Sequence, residues 1–129
     1  MTSLFQHSNC KLHSGRESTF LIDCNALTDA DLEALAHMAV TYMLPPFGEV
    51  IGIPRGGLRF AAALRQYSSD GPPLIVDDVY TTGISMGKVR REVEGSGRGL
   101  PIGVVMFARG PHPAWIHALL QMPEYFWGK

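Results

Sequence analysis

The chain has 129 residues, 46% of them hydrophobic and 18% charged, which is enough for a single domain with a real core and little to spare. The formal net charge is -1 at pH 7, so no field of one sign spans the molecule, which argues against broad capture of nucleic acid. The two cysteines, Cys10 and Cys24, make no disulfide framework, and no apolar run approaches the ~20 residues of a membrane helix. The first seven residues lack a charged start followed by a long apolar run, and the expected location is the cytoplasm, with both thiols reduced.

In chain order, Ser18 to Asp23 reads as a short strand. Thr28 is a good N-cap, with Asp29 and Asp31 in the first turn. Leu32, Leu35, Ala36, Ala39, Val40 and Met43 then recur at helical spacing, which predicts an amphipathic helix to about Leu44, stopped by Pro45-Pro46. Glu49 to Ile53 is a buried-strand candidate, and Pro54-Arg55-Gly56-Gly57 is the turn beyond it. Leu58 to Tyr67 predicts a helix, 68–72 a loop, and Leu74 to Asp77 a second apolar strand. Ser85 to Glu94 reads as a helix closed by Gly95, Gly97 and Gly99, with Lys88, Arg90, Arg91 and Arg98 as a solvated basic face and helix end. Ile102 to Phe107 is a third strand, and Ala114 to Gln121, behind Pro111 and Pro113, is expected to be a last helix.

Strands alternating with helices of this length predict crossover units. The expected fold is α/β: a small, doubly wound, mainly parallel sheet with flanking helices, in one domain over residues 1–129. Ligands on such sheets sit at the carboxyl ends of the strands. Two unusual turns fall at such ends, so they should share one rim.

The more informative turn lies in Leu74 to Ser85, which reads Leu-Ile-Val-Asp-Asp-Val-Tyr-Thr-Thr-Gly-Ile-Ser. An apolar run leads to two adjacent carboxylates, Asp77 and Asp78. A small hydroxyl- and glycine-rich turn, Thr81-Thr82-Gly83-Ile84-Ser85, then opens a helix. A turn into a helix start converges backbone N–H groups, adds the positive end of the helix dipole and offers hydroxyl donors, which together suit an anion. Two acids beside it would repel a bare phosphate. They suit a sugar phosphate, whose hydroxyls need acceptors while its phosphate needs donors. An Asp at a strand end or a Thr-Gly in a turn is ordinary turn chemistry by itself; the joint order is what points to a site. The other turn, Gly52 to Gly57, sets Arg55 among residues with little side chain, where a guanidinium can fork onto phosphate oxygens.

Val76 to Ser85 resembles the phosphoribosyl-pyrophosphate signature of the type I phosphoribosyltransferases, and Gly52 to Gly57 resembles their pyrophosphate loop. Ser14-Gly15-Arg16, followed by Ser18, resembles a segment near the start of the orotate phosphoribosyltransferases. The resemblance is strong over Val50 to Met86, fair over Leu12 to Asp23 and faint over Ile102 to Arg109. It implies that Asp77 and Asp78 accept hydrogen bonds from the ribose hydroxyls and stabilise a cationic sugar. It implies that Thr81, Thr82, Gly83, Ile84 and Ser85 hold the 5-phosphate, and that Arg55, Gly56 and Gly57 contact pyrophosphate. Arg109, with Thr81 close by, is implied to meet the base, and Mg2+ to be carried largely by substrate oxygens.

The chain departs from this family at four places. Only Leu58 to Pro73 separates the two turns, where the family usually has a long mobile hood loop. A family Lys is His13, an aromatic pair is Leu21-Ile22, and an acid is Ala108. The expected activity is transfer of a phosphoribosyl group from phosphoribosyl pyrophosphate to an orotate-like nucleobase. The alternative is a regulatory protein of the same fold that binds phosphoribosyl pyrophosphate or a nucleotide without turnover. Trp115 and the tail residues Tyr125, Phe126 and Trp127 suit core packing or a subunit contact better than base stacking. His112 and His117 suit packing or solvent, and a homodimer would fit so small a sheet.

Overall fold

A computed structural model of the protein describes residues 4–11 and 17–122. The Ser14-Gly15-Arg16 part of the upstream resemblance and the aromatics of the tail lie outside the described residues. An antiparallel hairpin comes first, formed by β1 (Phe5–Lys11) and β2 (Glu17–Ile22). A short 3-10 turn (Cys24–Ala26) leads into α1 (Asp29–Tyr42). Then follow β3 (Val50–Gly52), α2 (Gly57–Leu64), a 3-10 turn (Arg65–Tyr67), β4 (Leu74–Tyr80), α3 (Ile84–Gly95), β5 (Ile102–Arg109) and β6 (Ile116–Met122).

Helix α1 starts where its cap chemistry dictates. The Asp31 amide donates to Thr28 Oγ1 at 3.1 Å and the Thr28 amide donates to Asp31 Oδ2 at 2.8 Å. This reciprocal capping box satisfies two amides that the first turn would leave open. The hydrogen bonds from Thr28 also hold the Asp31 carboxyl below its ordinary range. Leu32, Ala36 and Ala39 are buried on the inner face, and the helix ends at Tyr42, ahead of Pro45-Pro46.

Strands β3 to β6 form one sheet in the order β3-β4-β5-β6, every pair parallel. Successive strand side chains point to opposite faces, and the core divides accordingly. Leu74, Val76, Val104 and Met106 pack with Phe60, Ala61 and Leu64 of α2 and with α1. Ile75 and Val105 pack on the other face with Met86 and Val93 of α3. The sheet is therefore covered by helices on both faces. The steps β3-α2-β4 and β4-α3-β5 move the same way across the sheet while their helices lie on opposite faces. They have opposite hands, so one of them departs from the right-handed rule of parallel crossovers.

Two expectations are corrected. Strand β4 does not end at the acids but runs through them to Tyr80, because Asp77, Val79 and Tyr80 all pair with β5. The segment expected as a last helix, Ala114 to Gln121, is the edge strand β6. Its Ala-Leu-Leu content favours helix, yet pairing with β5 from Gly103↔Ile116 to Arg109↔Met122 supplies a full ladder and covers an otherwise open edge. The strand expected over Ser18 to Asp23 is β2, Glu17–Ile22, and it pairs with an additional strand, β1, in a hairpin. Between Gly57 and Leu74 the chain holds α2, one 3-10 turn and a loop.

Candidate functional site

The carboxyl ends of β3, β4 and β5 open into a cavity of about 660 Å³. Its walls come from the two predicted turns, from residues 22–25 at the end of β2, and from Leu32, Arg59, Met106 and Arg109.

The first turn is tied to β4 before it begins. The Ile53 amide donates to the Val76 carbonyl at 2.8 Å, the Gly57 amide to Ile53 at 2.9 Å, and the Leu58 amide to Arg55 at 3.1 Å. The Pro54–Arg55 peptide bond is cis. Gly56 then lies directly against the Asp78 carboxylate, and a Cβ at that position would overlap both carboxylate oxygens. Gly57 packs on the backbone of β4 in the same way, against the Val76 carbonyl and the Asp77 Cα. The missing side chains thus bring the two turns into contact. Arg55 and Gly56 are on the cavity wall, whereas Gly57 is buried beneath it.

Both acids sit within β4 and cap the chain around them. The Asp78 amide donates to Asp77 Oδ1 at 2.8 Å and the Val79 amide donates to Asp78 Oδ1 at 2.7 Å. Burial pushes Asp77 up from 3.8 to about 8, helped by a hydrogen bond with Asp78 and by its neighbouring charge. Asp77 therefore holds a proton near neutrality, so the pair carries less than two charges until something cationic arrives.

Beyond Tyr80 the chain turns through Thr81 and Thr82 to Gly83, whose φ of 77° caps α3 in the left-handed conformation. The Tyr80 ring lies over Gly83, where a Cβ would come within 2.6 Å of the Tyr80 hydroxyl. No side chain caps the helix start, which leaves its first amides, with the Thr81, Thr82 and Ser85 hydroxyls, beside the cavity. Ile84 is 71% exposed there. Arg109, at the end of β5, is 1% exposed and reaches the same cavity. Except for Gly57, every predicted site residue is on one cavity wall.

Several wall residues were not foreseen. Cys24 stands beside the acids, and its thiol is pushed up to about 12 by burial and by the charges of Asp78, Asp23 and Asp77, so it stays protonated. Nothing in the sequence links Cys24 to Asp78, which is 54 positions away. Arg59 stands in the first turn of α2, and nothing local in the sequence places it on the wall. Ile22 gives an aliphatic wall. Trp115 is not on the wall; it packs against Gly103, with the Arg90 guanidinium 4.8 Å from its ring centroid. His112 stands edge-on to Tyr80 at 6.2 Å.

This architecture is the type I phosphoribosyltransferase fold. Among solved structures, orotate phosphoribosyltransferase from Aeropyrum pernix matches with a TM-score of 0.74 and 22% identity, over 92% of this chain and 88% of that one. The Mycobacterium tuberculosis H37Rv enzyme of that name matches with a TM-score of 0.68 and 16% identity, over 92% and 89%. The Francisella tularensis enzyme matches with 0.63 and 15%, over 92% and 80%. No protein-family model and no curated protein matches the sequence. These likenesses carry the fold. No described helix is long and apolar enough to cross a membrane.

Proposed function

We propose that this protein transfers the phosphoribosyl group of phosphoribosyl pyrophosphate to a nucleobase and releases pyrophosphate. The observation that carries the reading is the contact of Gly56 with Asp78, which puts an arginine-bearing turn, two carboxylates and an anion cradle around one cavity. Breaking the C1–pyrophosphate bond builds positive charge on the sugar and negative charge on the leaving group. Asp77 and Asp78 stabilise the first; Arg55 and the amide of Gly56 stabilise the second. The amides and hydroxyls of Thr81 to Ser85 hold the 5-phosphate, so the sugar is fixed while its charge changes. Arg109 and Thr81 are the residues we assign to the base, and an anionic, orotate-like acceptor suits the guanidinium.

The donor set fits Mg2+ in a restricted way. Among the described residues no group of three or more His, Cys, Asp or Glu side chains is placed to hold a metal ion. Two adjacent carboxylates, one with a raised pKa, suit an ion that keeps most of its water and substrate ligands. Asp77 and Asp78 would hold it, and it would neutralise pyrophosphate charge.

The short connection of 58–73 favours a second reading, binding without turnover, because it supplies little chain to exclude water. A pair of chains, one covering the other's open side, belongs to the first reading, and light scattering tests it: a monomer with full activity would rule it out. Incubation with phosphoribosyl pyrophosphate, magnesium and a panel of bases decides between the readings. Pyrophosphate release is expected, reduced about a hundredfold or more in Asp78→Asn with little loss of stability. Calorimetric binding with no release from any base would select the regulatory reading; no binding would remove both.

A further inference from the structure

We infer that Arg59 is a second cation for the pyrophosphate end of the ligand, held ready on the cavity wall by a pair it can exchange. The inference rests on the phosphoribosyl reading and goes beyond the two turns that define it. Arg55, in the turn before α2, and Arg59, in the first turn of that helix, both line the cavity. In the free protein Arg59 Nη2 donates to the Leu27 carbonyl and to Asp29 Oδ1, each at 3.0 Å. These bonds orient the guanidinium without committing it. The Asp29 side chain is 97% exposed and that of Arg59 is 44% exposed, and ion pairs so open to water are weak. A pyrophosphate brings several negative charges and paired oxygens matched to the guanidinium fork, so it outcompetes one solvated carboxylate.

The segment that joins the two turns has one other cation, Arg65, and that side chain donates to the Val50 carbonyl at 3.4 Å. Arg59 is thus the charge that the short connection offers the cavity, in a chain with no long loop there to bring others.

The test is calorimetry with magnesium and inorganic pyrophosphate, and separately with ribose 5-phosphate. Arg59→Ala should weaken pyrophosphate binding about tenfold or more and leave ribose 5-phosphate within about twofold. Arg59→Lys, which keeps the charge but loses the fork, should fall between, and carries the test if the alanine variant does not fold. Asp29→Asn removes the competing carboxylate charge and keeps the guanidinium with its Leu27 bond, so its pyrophosphate affinity should equal or exceed that of the parent. Equal pyrophosphate affinity in parent and Arg59→Ala would overturn the inference and leave the phosphoribosyl reading intact. So would an equal loss in Asp29→Asn, since the effect would then belong to the Asp29 pair. A parent that binds neither ligand would overturn both.

Discussion

Asp77 shows how one position can be set by two demands. Its amide neighbour and its place in β4 hold the side chain still, while burial and Asp78 keep it protonated to about pH 8. The unfolded chain releases the same proton near 3.8. Between those values the folded state binds more protons than the unfolded one, so stability falls as pH rises from about 4 to about 8 and levels off above. Urea midpoints across that range should show the decline, and Asp77→Asn should flatten it. The same raised value predicts that a magnesium-bearing sugar phosphate expels a proton at pH 7. Calorimetry in buffers of differing ionisation enthalpy reads that proton directly. Absence of both effects would mean that Asp77 is ionised throughout.

At the scale of elements, β6 shows that pairing overrules propensity. The run Ala118-Leu119-Leu120 would serve a helix as well. Its strand register depends on the close approach of neighbours at Gly103, whose amide donates to the Trp115 carbonyl at 2.9 Å. A Cβ on Gly103 would meet Trp115 Cζ3 at 2.9 Å and Met86 Cε at 3.0 Å. Gly103→Ala should therefore cost about 1–3 kcal/mol by overpacking. Denaturant unfolding measures it. A neutral substitution would show that Trp115 and the α3 side of the sheet give way freely. Helix α1 is the opposite case: its cap, its inner face and its stop agree, and it forms as the sequence predicts.

Across the whole molecule, the cavity is built by segments distant in sequence: the end of β2, the turn before α2, the turn before α3 and the end of β5. A ligand that spans them links both layers of the core and stabilises the fold as a unit. Magnesium phosphoribosyl pyrophosphate at a hundred times its Kd should add about 2.7 kcal/mol, which for a domain of this size raises the Tm by roughly 10 °C. A scan with and without ligand tests this. A Tm raised equally by sulfate would mean that only the anion cradle is engaged.

The class of fold and both turns were legible in the sequence, and ten of the eleven residues named for the site line the cavity. Each is written locally: apolar runs between turns, Asp77-Asp78 followed by Thr-Thr-Gly, and glycines beside Arg55. The walls contributed by Cys24, Arg59 and Ile22 were not, because what makes them neighbours of the acids is the packing of α1, α2 and the hairpin end. The strand state of 116–122 and the opposite hands of the two crossovers also needed the assembled sheet. Local residues fix which chemistry each turn can do; only the stacking of helices on both faces of the sheet decides which turns share a ligand.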